Sequence, residues 1–410
     1  MYDILCTYPL TSDLFTQSIH PTEPVIALGL ALGHVQLHRL PPLASQSTPV
    51  QNGFGTVDTL WRTRRHKGSC RALAFSHDGK QLYSAGTDGI VKIASAETGH
   101  VASKIGIPLC KHEVDFPTLL HQLNPSTLLL ATDSALLHVY DIRASTSSIS
   151  GDEGKGTKPA QTLKDIHADY ITSLSPLPTS ILPSAAEDTK QFLTTGGTTV
   201  AITDIRKGVL KQSENLEEEL LSSTICAGKA IVGSEKGRVR VWNVGQWDDS
   251  EQSLRVDKMY EAGADVLATM PGYEGGKGRV AVGGGDGGVR FLSVEGGKKQ
   301  GRVRLEEEVV SHDEMDGVIG LGWVRDGRLV SGGGQSMKIW EERGEEEDGE
   351  GEGLDGLDGE VSDDERDGSD DGGNDSEEEP PRKRRKKKKK GKGKKVREER
   401  NGILKFKGLD

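Results

Sequence analysis

Residues 65–93 have the sequence RHKGSCRALAFSHDGKQLYSAGTDGIVKI. This segment contains three short apolar runs, at 72–75, 81–85 and 90–93, and the pair Asp88-Gly89 separates the second from the third. An Asp-Gly pair between alternating apolar runs is a strong hairpin signal, because both turn positions need backbone φ values that Asp and Gly tolerate. The segment therefore predicts three consecutive antiparallel β-strands.

Six other segments of the chain can be aligned with this one. They are residues 13–40, 115–143, 166–208, 220–244, 264–294 and 317–340. The hairpin turns of the seven units are on average about 50 residues apart, slightly more than the ~40–45 residues of a four-stranded blade repeat, as loop insertions would produce. The chain also has 53 glycines, which suits a fold with many tight turns. The repeats predict an all-β fold, a seven-bladed β-propeller.

The predicted propeller covers residues 1–342. Its blades are expected at about 13–60, 61–110, 111–160, 161–215, 216–260, 261–308 and 309–342. The seventh unit supplies only three strands, and a closed ring leaves no sheet edge open. Residues 3–8 are therefore expected to form the outer strand of the last blade and to join the two ends of the ring.

The end of the third strand carries a degenerate form of the Trp-Asp pair that marks WD repeats. Two units keep the Asp, in Tyr140-Asp141 and Thr203-Asp204, and two keep the Trp, in Trp242-Asn243 and Trp340-Glu341. A single match is weak evidence, whereas seven units in register indicate WD-repeat blades.

WD blades can also contain a buried hydrogen bond from a loop His to the hairpin Asp. Because a buried polar group is costly unless it is satisfied, the two residues should occur together. His66 with Asp88, and His112 with Asp133, are the predicted pairs. In the later blades one partner is missing, which leaves three isolated candidates: His167, Asp286 and His312. We therefore expect the early blades to be the better braced half.

Two adjacent units end their third strand with the sequence Asp-Ile-Arg. Asp141 with Arg143, and Asp204 with Arg206, resemble the Trp-Asp-x-Arg box of propellers that dock onto cullin-four ubiquitin ligases. The Trp of that box is Tyr140 or Thr203 here. The alternative is that Asp-Ile-Arg is simply a common sequence at the end of the third strand of WD repeats, and this alternative is favoured.

The sequence patterns that could indicate an enzyme are better explained as parts of the β-fold or lack the spacing that a functional site needs. Residues 283–288, GGGDGG, match the dinucleotide-binding pattern G-x-G-x-x-G, but an alternating strand follows where that motif needs a helix, so a hairpin turn is predicted. The eleven histidines and four cysteines show no metal-ligand spacing. We expect no catalytic, cofactor-binding or metal-binding residues, and no enzymatic activity.

The C-terminal tail begins with an acidic segment, residues 343–379. From Glu341 to Glu379 the chain has 21 acidic and 2 basic residues. A segment with so little apolar content is expected to be disordered, either as a solubilising spacer or as an arm for basic proteins. Ser362 and Ser376 precede acidic runs and are possible phosphorylation sites for acid-directed kinases.

A polybasic segment, residues 380–400, follows. Its core is nine consecutive basic residues: Arg382, Lys383, Arg384, Arg385, Lys386, Lys387, Lys388, Lys389 and Lys390. Nuclear import receptors bind segments of this type, and RNA phosphates attract them without sequence preference. The acidic segment could screen this charge. The final residues, 401–410, contain a small apolar group, Ile403, Leu404 and Phe406.

The absence of two kinds of segment bears on the compartment, in addition to the polybasic segment that indicates the nucleus. The N-terminus shows no secretory signal, and no apolar stretch has the ~18–20 residues that span a bilayer. We expect a soluble intracellular protein with reduced cysteines, located in the nucleus and acting as a monomer within a larger complex.

The opening residues 13–40, the degenerate blades and the acidic-then-polybasic tail resemble the fungal nucleolar WD-repeat proteins of the Jip-five type, the counterparts of the animal WD-repeat protein fifty-five. The resemblance implies a nucleolar scaffold in ribosome biogenesis, in ribosomal RNA processing and large-subunit assembly. Its partners would be pre-ribosomal or nucleolar proteins and an import receptor.

Two other functions stay open. A substrate receptor for a cullin-four ligase requires Arg143 and Arg206 to be exposed on one face of the ring. A histone-binding chromatin propeller requires an acidic pocket on the ring.

Overall fold

The structure is a computed structural model, and it describes residues 2–42, 57–143, 158–178, 189–256, 262–272, 276–297 and 301–343. The acidic and polybasic segments, with Ser362, Ser376 and Arg382–Lys390, lie outside these residues. Among the described residues there is no helix that is long and apolar enough to cross a membrane.

Seven four-stranded antiparallel sheets form the fold, and we number them as blades in chain order. The first strand of the chain, β1 (Tyr2–Pro9), belongs to blade 7. Blades 1 to 4 then follow, each with its strands in order from the inside to the outside of the ring. Blade 1 consists of β2 (Leu14–Ile19), β3 (Val25–Leu30), β4 (His34–Arg39) and β5 (Asp58–Arg64), and blade 2 of β6 (Cys70–Phe75), β7 (Gln81–Gly86), β8 (Ile90–Ser95) and β9 (Val101–Gly106). Blade 3 consists of β10 (Pro117–Asn124), β11 (Thr127–Thr132), β12 (Leu137–Asp141) and β13 (Gln161–Leu163), and blade 4 of β14 (Ile171–Pro176), β15 (Gln191–Gly196), β16 (Thr199–Asp204) and β17 (Gly208–Gln212).

Blades 5 and 6 repeat this order, and blade 7 ends the described chain with three strands. Blade 5 consists of β18 (Leu220–Cys226), β19 (Lys229–Ser234), β20 (Arg238–Asn243) and β21 (Gln252–Arg255). Blade 6 consists of β22 (Val266–Thr269), β23 (Lys277–Gly283), β24 (Gly288–Glu295) and β25 (Val303–Ser311). The three strands of blade 7 are β26 (Gly320–Trp323), β27 (Leu329–Gly333) and β28 (Ser336–Glu342). The inner strands of successive blades contact one another, and β26 contacts β2, which completes the ring. The prediction of a seven-bladed all-β propeller is confirmed.

The two ends of the ring are joined by β1. It pairs antiparallel with β28 from Tyr2 opposite Glu342 to Pro9 opposite Ser336, so that β1 is the outer strand of blade 7. The sequence led us to expect this role for residues 3–8, and the observed strand extends one residue further at each end. Without β1 the outer edge of β28 would be open to solvent.

Three of the predicted blade boundaries are wrong. β5 and β25 run past the predicted ends at residues 60 and 308, and β13 belongs to blade 3 although residue 161 was placed in blade 4. All three are outer strands. Such a strand has one solvated face and few apolar residues, so its sequence signal is weak.

The core lies between the blades. The buried apolar residues form seven clusters, and each cluster joins two adjacent blades around the ring. A second strand such as β3, VIALGL, is covered on both sides by neighbouring blades, and all six of its residues are buried. An outer strand such as β9, VASKIG, buries only two of its six residues.

Arg279 of β23 attaches blade 6 to the closing sheet. Its Nη1 donates to the Tyr2 hydroxyl at 2.9 Å and to Glu342 Oε1 at 3.0 Å. Its Nε donates to Glu306 Oε2 at 2.9 Å, and its Nη2 donates to Glu308 Oε2 at 3.2 Å. Charge-assisted bonds of this kind are strong when they are well aligned. One buried guanidinium therefore connects β23, β25, β1 and β28.

Candidate functional site

The loops of each blade are divided between two faces of the ring. We define the hairpin face as the surface formed by the turns between second and third strands and by the loops that lead into the inner strands. These are residues 31–33, 87–89, 133–136, 197–198, 235–237, 284–287 and 334–335, and residues 10–13, 65–69, 107–116, 164–170, 213–219, 262–265 and 312–319. The remaining loops, as far as the structure describes them, form the opposite face.

The inner strands of blades 1 to 5 share an irregularity where they begin at the hairpin face. Their pairing with the second strand shifts register across one residue, near the start of each strand. The skipped residues are Phe15, Arg71, Thr118, Thr172 and Leu221. A β-bulge re-aims a side chain relative to a regular strand. The same five residues line one cavity, so the bulges turn these side chains toward the axis of the ring.

We call this cavity the mouth, because all seven blades contribute to its lining. Its volume is about 630 Å³. Besides the five bulge residues, it is lined by Pro117, Asp133, Tyr170, Ile171, Asp265 and Ile319. The mouth thus combines apolar side chains with one cation and two carboxylates, so it offers both apolar and polar contacts to a ligand.

More than half of the exposed large apolar side chains lie on the hairpin face, and three of them, Phe15, Tyr170 and Ile319, line the mouth. Eight of the exposed large apolar residues lie on the loops of the hairpin face or at the start of an inner strand: Phe15, Leu32, Leu109, Val114, Phe116, Tyr170, Met315 and Ile319. The other six lie on outer strands: Ile4, Leu60, Val101, Val209, Leu210 and Val309. Among the described residues the loops of the opposite face carry none. Apolar patches rimmed by polar residues mark interaction sites, so the hairpin face is the candidate binding surface.

The half of the hairpin face formed by blades 5 to 7 is acidic. Ten carboxylates lie on its described loops, namely Glu214, Glu217, Glu218, Glu219, Glu235, Asp265, Asp286, Asp313, Glu314 and Asp316, against one basic residue, Lys236. Ion pairs with strand residues neutralise two of them: Arg290 Nη2 lies 2.6 Å from Asp286 Oδ2, and Arg238 Nε lies 3.1 Å from Glu218 Oε1. We call these loops the acidic arc.

The two carboxylates of the mouth are held in an unfavourable setting. Burial, followed by repulsion from Asp286, raises the pKa of Asp265. Partial desolvation raises the pKa of Asp133 as well, although this residue is exposed, with Arg71 opposing the shift and Asp115 adding to it. A cation bound beside these groups would stabilise their charged forms. The mouth therefore favours a ligand that carries positive charge.

The predicted pair His66 and Asp88 is present. His66 Nδ1 donates to Asp88 Oδ1 at 2.9 Å, and its Nε2 lies 3.0 Å from Ser84 Oγ, so the ring connects an entry loop to a hairpin and a strand. Burial lowers the pKa of His66 below its ordinary value, although Asp88 opposes this shift. A neutral imidazole with one donor and one acceptor satisfies both contacts.

The predicted pair His112 and Asp133 is wrong. Both residues are exposed, and Asp133 lines the mouth instead. The buried polar group that contacts this hairpin from the preceding loop is Asp115, whose Oδ1 accepts a hydrogen bond from the backbone N–H of Ser134 at 3.1 Å. A carboxylate on the entry loop thus holds the hairpin directly, and no histidine is needed.

The expectation that the later blades lack this buried hydrogen bond does not hold for blades 4 and 7, because hydroxyl groups there replace the hairpin Asp. His167 Nδ1 lies 2.7 Å from Thr199 Oγ1, and its Nε2 lies 2.9 Å from Thr194 Oγ1. His312 is likewise placed, with Nδ1 2.8 Å from Ser331 Oγ and Nε2 3.1 Å from Ser336 Oγ. Blades 4 and 7 therefore each contain a loop histidine that is hydrogen-bonded through both of its ring nitrogens.

We expect Asp88→Ala to lower the free energy of unfolding by about 1–3 kcal/mol, since it leaves the buried Nδ1 of His66 without its partner. Asp133→Ala removes a carboxylate from the equivalent hairpin and should change that free energy by less than about 0.5 kcal/mol. Denaturant unfolding of both variants measures the difference. Equal changes in the free energy of unfolding for the two variants would contradict the conclusion that Asp88, and not Asp133, stabilises its blade through a buried histidine.

The two Asp-Ile-Arg sequences lie on the opposite face, at the ends of β12 and β16 in adjacent blades. Arg143 and Arg206 are both exposed. The Asp141 carboxylate accepts hydrogen bonds from both Nε and Nη2 of Arg143, at 3.0 Å and 2.8 Å. Asp204 is buried and accepts the backbone N–H of Arg206 at 2.9 Å. Each Asp therefore stabilises the turn after its strand.

Residues 283–288 form the hairpin between β23 and β24, as the sequence predicted. Asp286 Oδ1 accepts the backbone N–H of Gly288 at 3.0 Å, and Gly287 has φ of +73°. In the described part of the chain no group of three or more His, Cys, Asp or Glu side chains could hold a metal ion.

Comparison with known proteins places the chain. Residues 18–116 match the family described as the anaphase-promoting complex subunit 4 WD40 domain. The WD repeat-containing protein jip5 of Aspergillus clavatus is 49% identical over 366 residues, which cover 83% of this chain and 84% of that protein. The chain belongs to the jip5 family of WD-repeat proteins. The resemblance drawn from the blades and the tail is confirmed.

Other jip5 proteins match to a similar extent. That of Botryotinia fuckeliana is 47% identical over 84% of this chain and 82% of its own length. That of Phaeosphaeria nodorum is 46% identical over 84% of this chain and 83% of its own length. A WD-repeat propeller is a protein-interaction scaffold, and such proteins are in general not enzymes.

The mouth of this jip5-family chain was not among the sites predicted from the sequence. Its residues have no common side-chain type, and the bulges that expose them depend on strand pairing. One weak signal was available: Arg71 is a charged residue immediately after the first residue of an inner strand that is otherwise small or apolar.

Proposed function

We propose that this protein is a non-enzymatic scaffold of the nucleus and nucleolus, where it acts in ribosome biogenesis by holding a pre-ribosomal protein in the mouth. The observation that carries the proposal is the concentration of exposed apolar side chains on the hairpin face, around a cavity lined by all seven blades. Membership of the jip5 family and the polybasic run Arg382–Lys390 support the compartment and the process.

Ribosomal proteins and many of their assembly factors are basic, and the mouth suits such partners. Phe15, Tyr170 and Ile319 offer apolar contacts on three sides, and the acidic arc attracts positive charge. Binding energy at protein interfaces comes mainly from a few buried anchors, with a charged rim that sets specificity and the rate of association. The polybasic run would add non-specific contacts to ribosomal RNA phosphates.

The experiment is affinity purification of the tagged full chain from nuclear extract, with and without ribonuclease. We expect large-subunit pre-ribosomal proteins, enriched in the nucleolar fraction and partly retained after ribonuclease. The double variant Phe15→Ser, Ile319→Ser should lose the ribonuclease-resistant fraction by at least ~10-fold, since each exposed anchor contributes about 1 kcal/mol or more. The matched control is Val101→Ser, Val309→Ser on outer strands, which should change nothing. Recovery of histones instead of pre-ribosomal proteins would contradict the proposal.

A second candidate function has one specific observation in its favour. Arg143 and Arg206 are exposed on the same face of adjacent blades, as docking onto a cullin-four adaptor requires. The same purification tests this alternative. Recovery of a cullin adaptor, lost when both arginines are replaced by Ala, would favour a ligase-substrate receptor over the pre-ribosomal scaffold.

A further inference from the structure

We propose that the hairpin face binds a partner segment with two different ends: an apolar end that lies on the loops of blades 1 to 3, and an end rich in lysine or arginine that lies on the acidic arc. This inference rests on the proposed function, because it specifies the chemistry and the orientation of the segment that crosses the mouth.

The exposed apolar side chains of the hairpin face are mostly on one side of the ring. Five of the eight belong to blades 1 to 3 or to the loops that enter them, and we call them the apolar crescent: Phe15, Leu32, Leu109, Val114 and Phe116. Leu32 is 57% exposed and Leu109 is 51% exposed. Contact of this surface with water is unfavourable, so a ligand that covers it gains apolar burial.

The loop of residues 107–116 carries three of the crescent residues and ends in a fixed turn. The backbone N–H groups of Cys110 and Glu113 each donate to the carbonyl oxygen of the other, at 3.0 Å and 2.9 Å. Between them, Lys111 and His112 have φ of +50° and +72°. Successive positive φ values are typical of a tight hairpin turn. The loop therefore presents its apolar side chains from a defined conformation.

The apolar crescent is continuous with the mouth. The loop that carries most of it starts at the hairpin of blade 2, where the Ile107 N–H donates to the Gly89 carbonyl oxygen at 2.8 Å. It ends at Pro117, which lines the mouth, and Phe15 belongs to both surfaces. A peptide bound on the crescent can therefore continue into the mouth.

The two sides of the hairpin face differ in charge. On the described loops of blades 1 to 3 the exposed charged side chains nearly balance, with two lysines against three carboxylates: Lys67, Lys111, Asp13, Glu113 and Asp133. The acidic arc of blades 5 to 7 has ten carboxylates against one lysine on its described loops. Blades 5 to 7 lie across the axis from blades 1 to 3 in the ring of seven. A segment that crosses the mouth therefore passes from an apolar to an acidic surface.

The charges inside the mouth follow the same direction. Arg71 of blade 2 lies on the crescent side, with its guanidinium carbon 5.6 Å from the centre of the Phe15 ring. Asp265 lies on the side of the arc, at the start of blade 6. In the part of the chain that the structure describes, no hydrogen bond or ion pair reaches the Asp265 carboxylate, and Asp286 repels it.

These charges favour one orientation of the ligand. A lysine or arginine side chain beside Asp265 supplies the counter-ion that this carboxylate lacks, whereas the same side chain beside Arg71 is repelled. The reversed ligand would also place its apolar residues next to hydrated carboxylates and would leave the apolar crescent uncovered, so it loses both kinds of contact.

The test uses the full chain and random peptides of about a dozen residues displayed on phage, selected in the absence of any partner protein. We expect the enriched peptides to have two or more large apolar residues in one half and two or more lysines or arginines in the other. Enrichment of acidic peptides, of peptides with only one of these residue classes, or of peptides in which the two classes are mixed would overturn the inference. Failure to enrich any peptide would also overturn it.

A synthetic copy of the most enriched peptide then tests the two ends separately, through its Kd at low and high salt. Leu109→Ser, Val114→Ser should raise the Kd by roughly 5-fold or more at both salt concentrations, because apolar burial is not screened. Asp265→Asn should raise the Kd mainly at low salt and reduce its dependence on salt. The outer-strand control Val101→Ser, Val309→Ser should change neither quantity. Melting temperatures show that each variant is folded.

The orientation is measured with p-benzoylphenylalanine placed in either half of the same peptide. In the apolar half it should cross-link to the loops 31–33 or 107–116, and in the basic half to the acidic arc. The reverse pattern, cross-links on outer strands or the opposite face, or a Kd that no variant changes would contradict the inference. These results do not decide whether the partner is pre-ribosomal. Recovery of histones in the purification would contradict the proposed function and leave the chemistry of the bound segment unaffected.

Discussion

Deleting residues 1–9 is expected to lower the melting temperature by about 10 °C or more. The deletion removes β1, which pairs with β28 over its whole length and buries Tyr2 and Cys6. It also exposes Met337 and Ile339, and it takes the Tyr2 hydroxyl from Arg279. Lost burial and lost charge-assisted bonds amount to roughly 7–10 kcal/mol, and in a domain of about 340 residues each kcal/mol shifts the melting temperature by ~1.4 °C.

A point variant separates this effect from failure to fold. The Tyr2 ring stacks on Phe291 with centroids 4.9 Å apart and meets Trp323 edge-on at 5.8 Å. Tyr2→Ala should therefore cost about 3–5 kcal/mol. Ile4→Ala in the same strand is the matched control, because the Ile4 side chain is exposed and should contribute little. Thermal unfolding followed by circular dichroism measures all three proteins. A deletion variant that melts within 2 °C of the full chain would show that β1 does not close the ring.

The second large effect concerns pH. Two buried histidines, His38 and His167, are expected to destabilise the fold as the pH falls from 7 to 5. Burial, with a further contribution from Arg62, lowers the pKa of His38 to about 4. Burial lowers the pKa of His167 to about 4 as well. The unfolded chain, with an ordinary pKa of 6.5, takes up the protons first. The stabilisation is therefore complete above pH 6.5 and is lost as the pH falls toward 4.

The magnitude follows from the two pKa values. Each of these histidines should reduce the free energy of unfolding by about 2 kcal/mol between pH 7 and pH 5, and the pair by about 4 kcal/mol. Denaturant unfolding at pH 7.5, 6 and 5 measures the loss. His167→Gln should reduce this loss by about 2 kcal/mol, which is the contribution of that one ring. A free energy of unfolding that is the same at pH 7.5 and pH 5 would contradict the neutral, buried state of these rings.

The sequence predicted those parts of the fold that depend on local chemistry. Asp88-Gly89 and the glycines of five other hairpins need particular backbone angles, so the second and third strands of those blades could be located. The outer strands could not. β13 has the sequence QTL and β21 the sequence QSLR, and neither is long or apolar enough to stand out. Their positions depend on pairing with the third strand.

The candidate site could be predicted only in part, because its residues come together through register and ring closure. His66 and Asp88 are 22 residues apart within one blade, and their pairing could be inferred. Arg279 bonds Tyr2, which is 277 residues away. The mouth is built from bulges in five different strands. No spacing in the sequence links Phe15 to Ile319 or to Asp265.

The measurement that tests the account most directly is the ratio of pre-ribosomal protein recovered, after ribonuclease, by the Phe15→Ser, Ile319→Ser variant and by the unaltered chain. If the mouth is the binding surface, this ratio is about 0.1 or lower, with melting temperatures unchanged and the outer-strand control near 1. A ratio near 1 for the mouth variant would place the binding surface elsewhere and contradict the account.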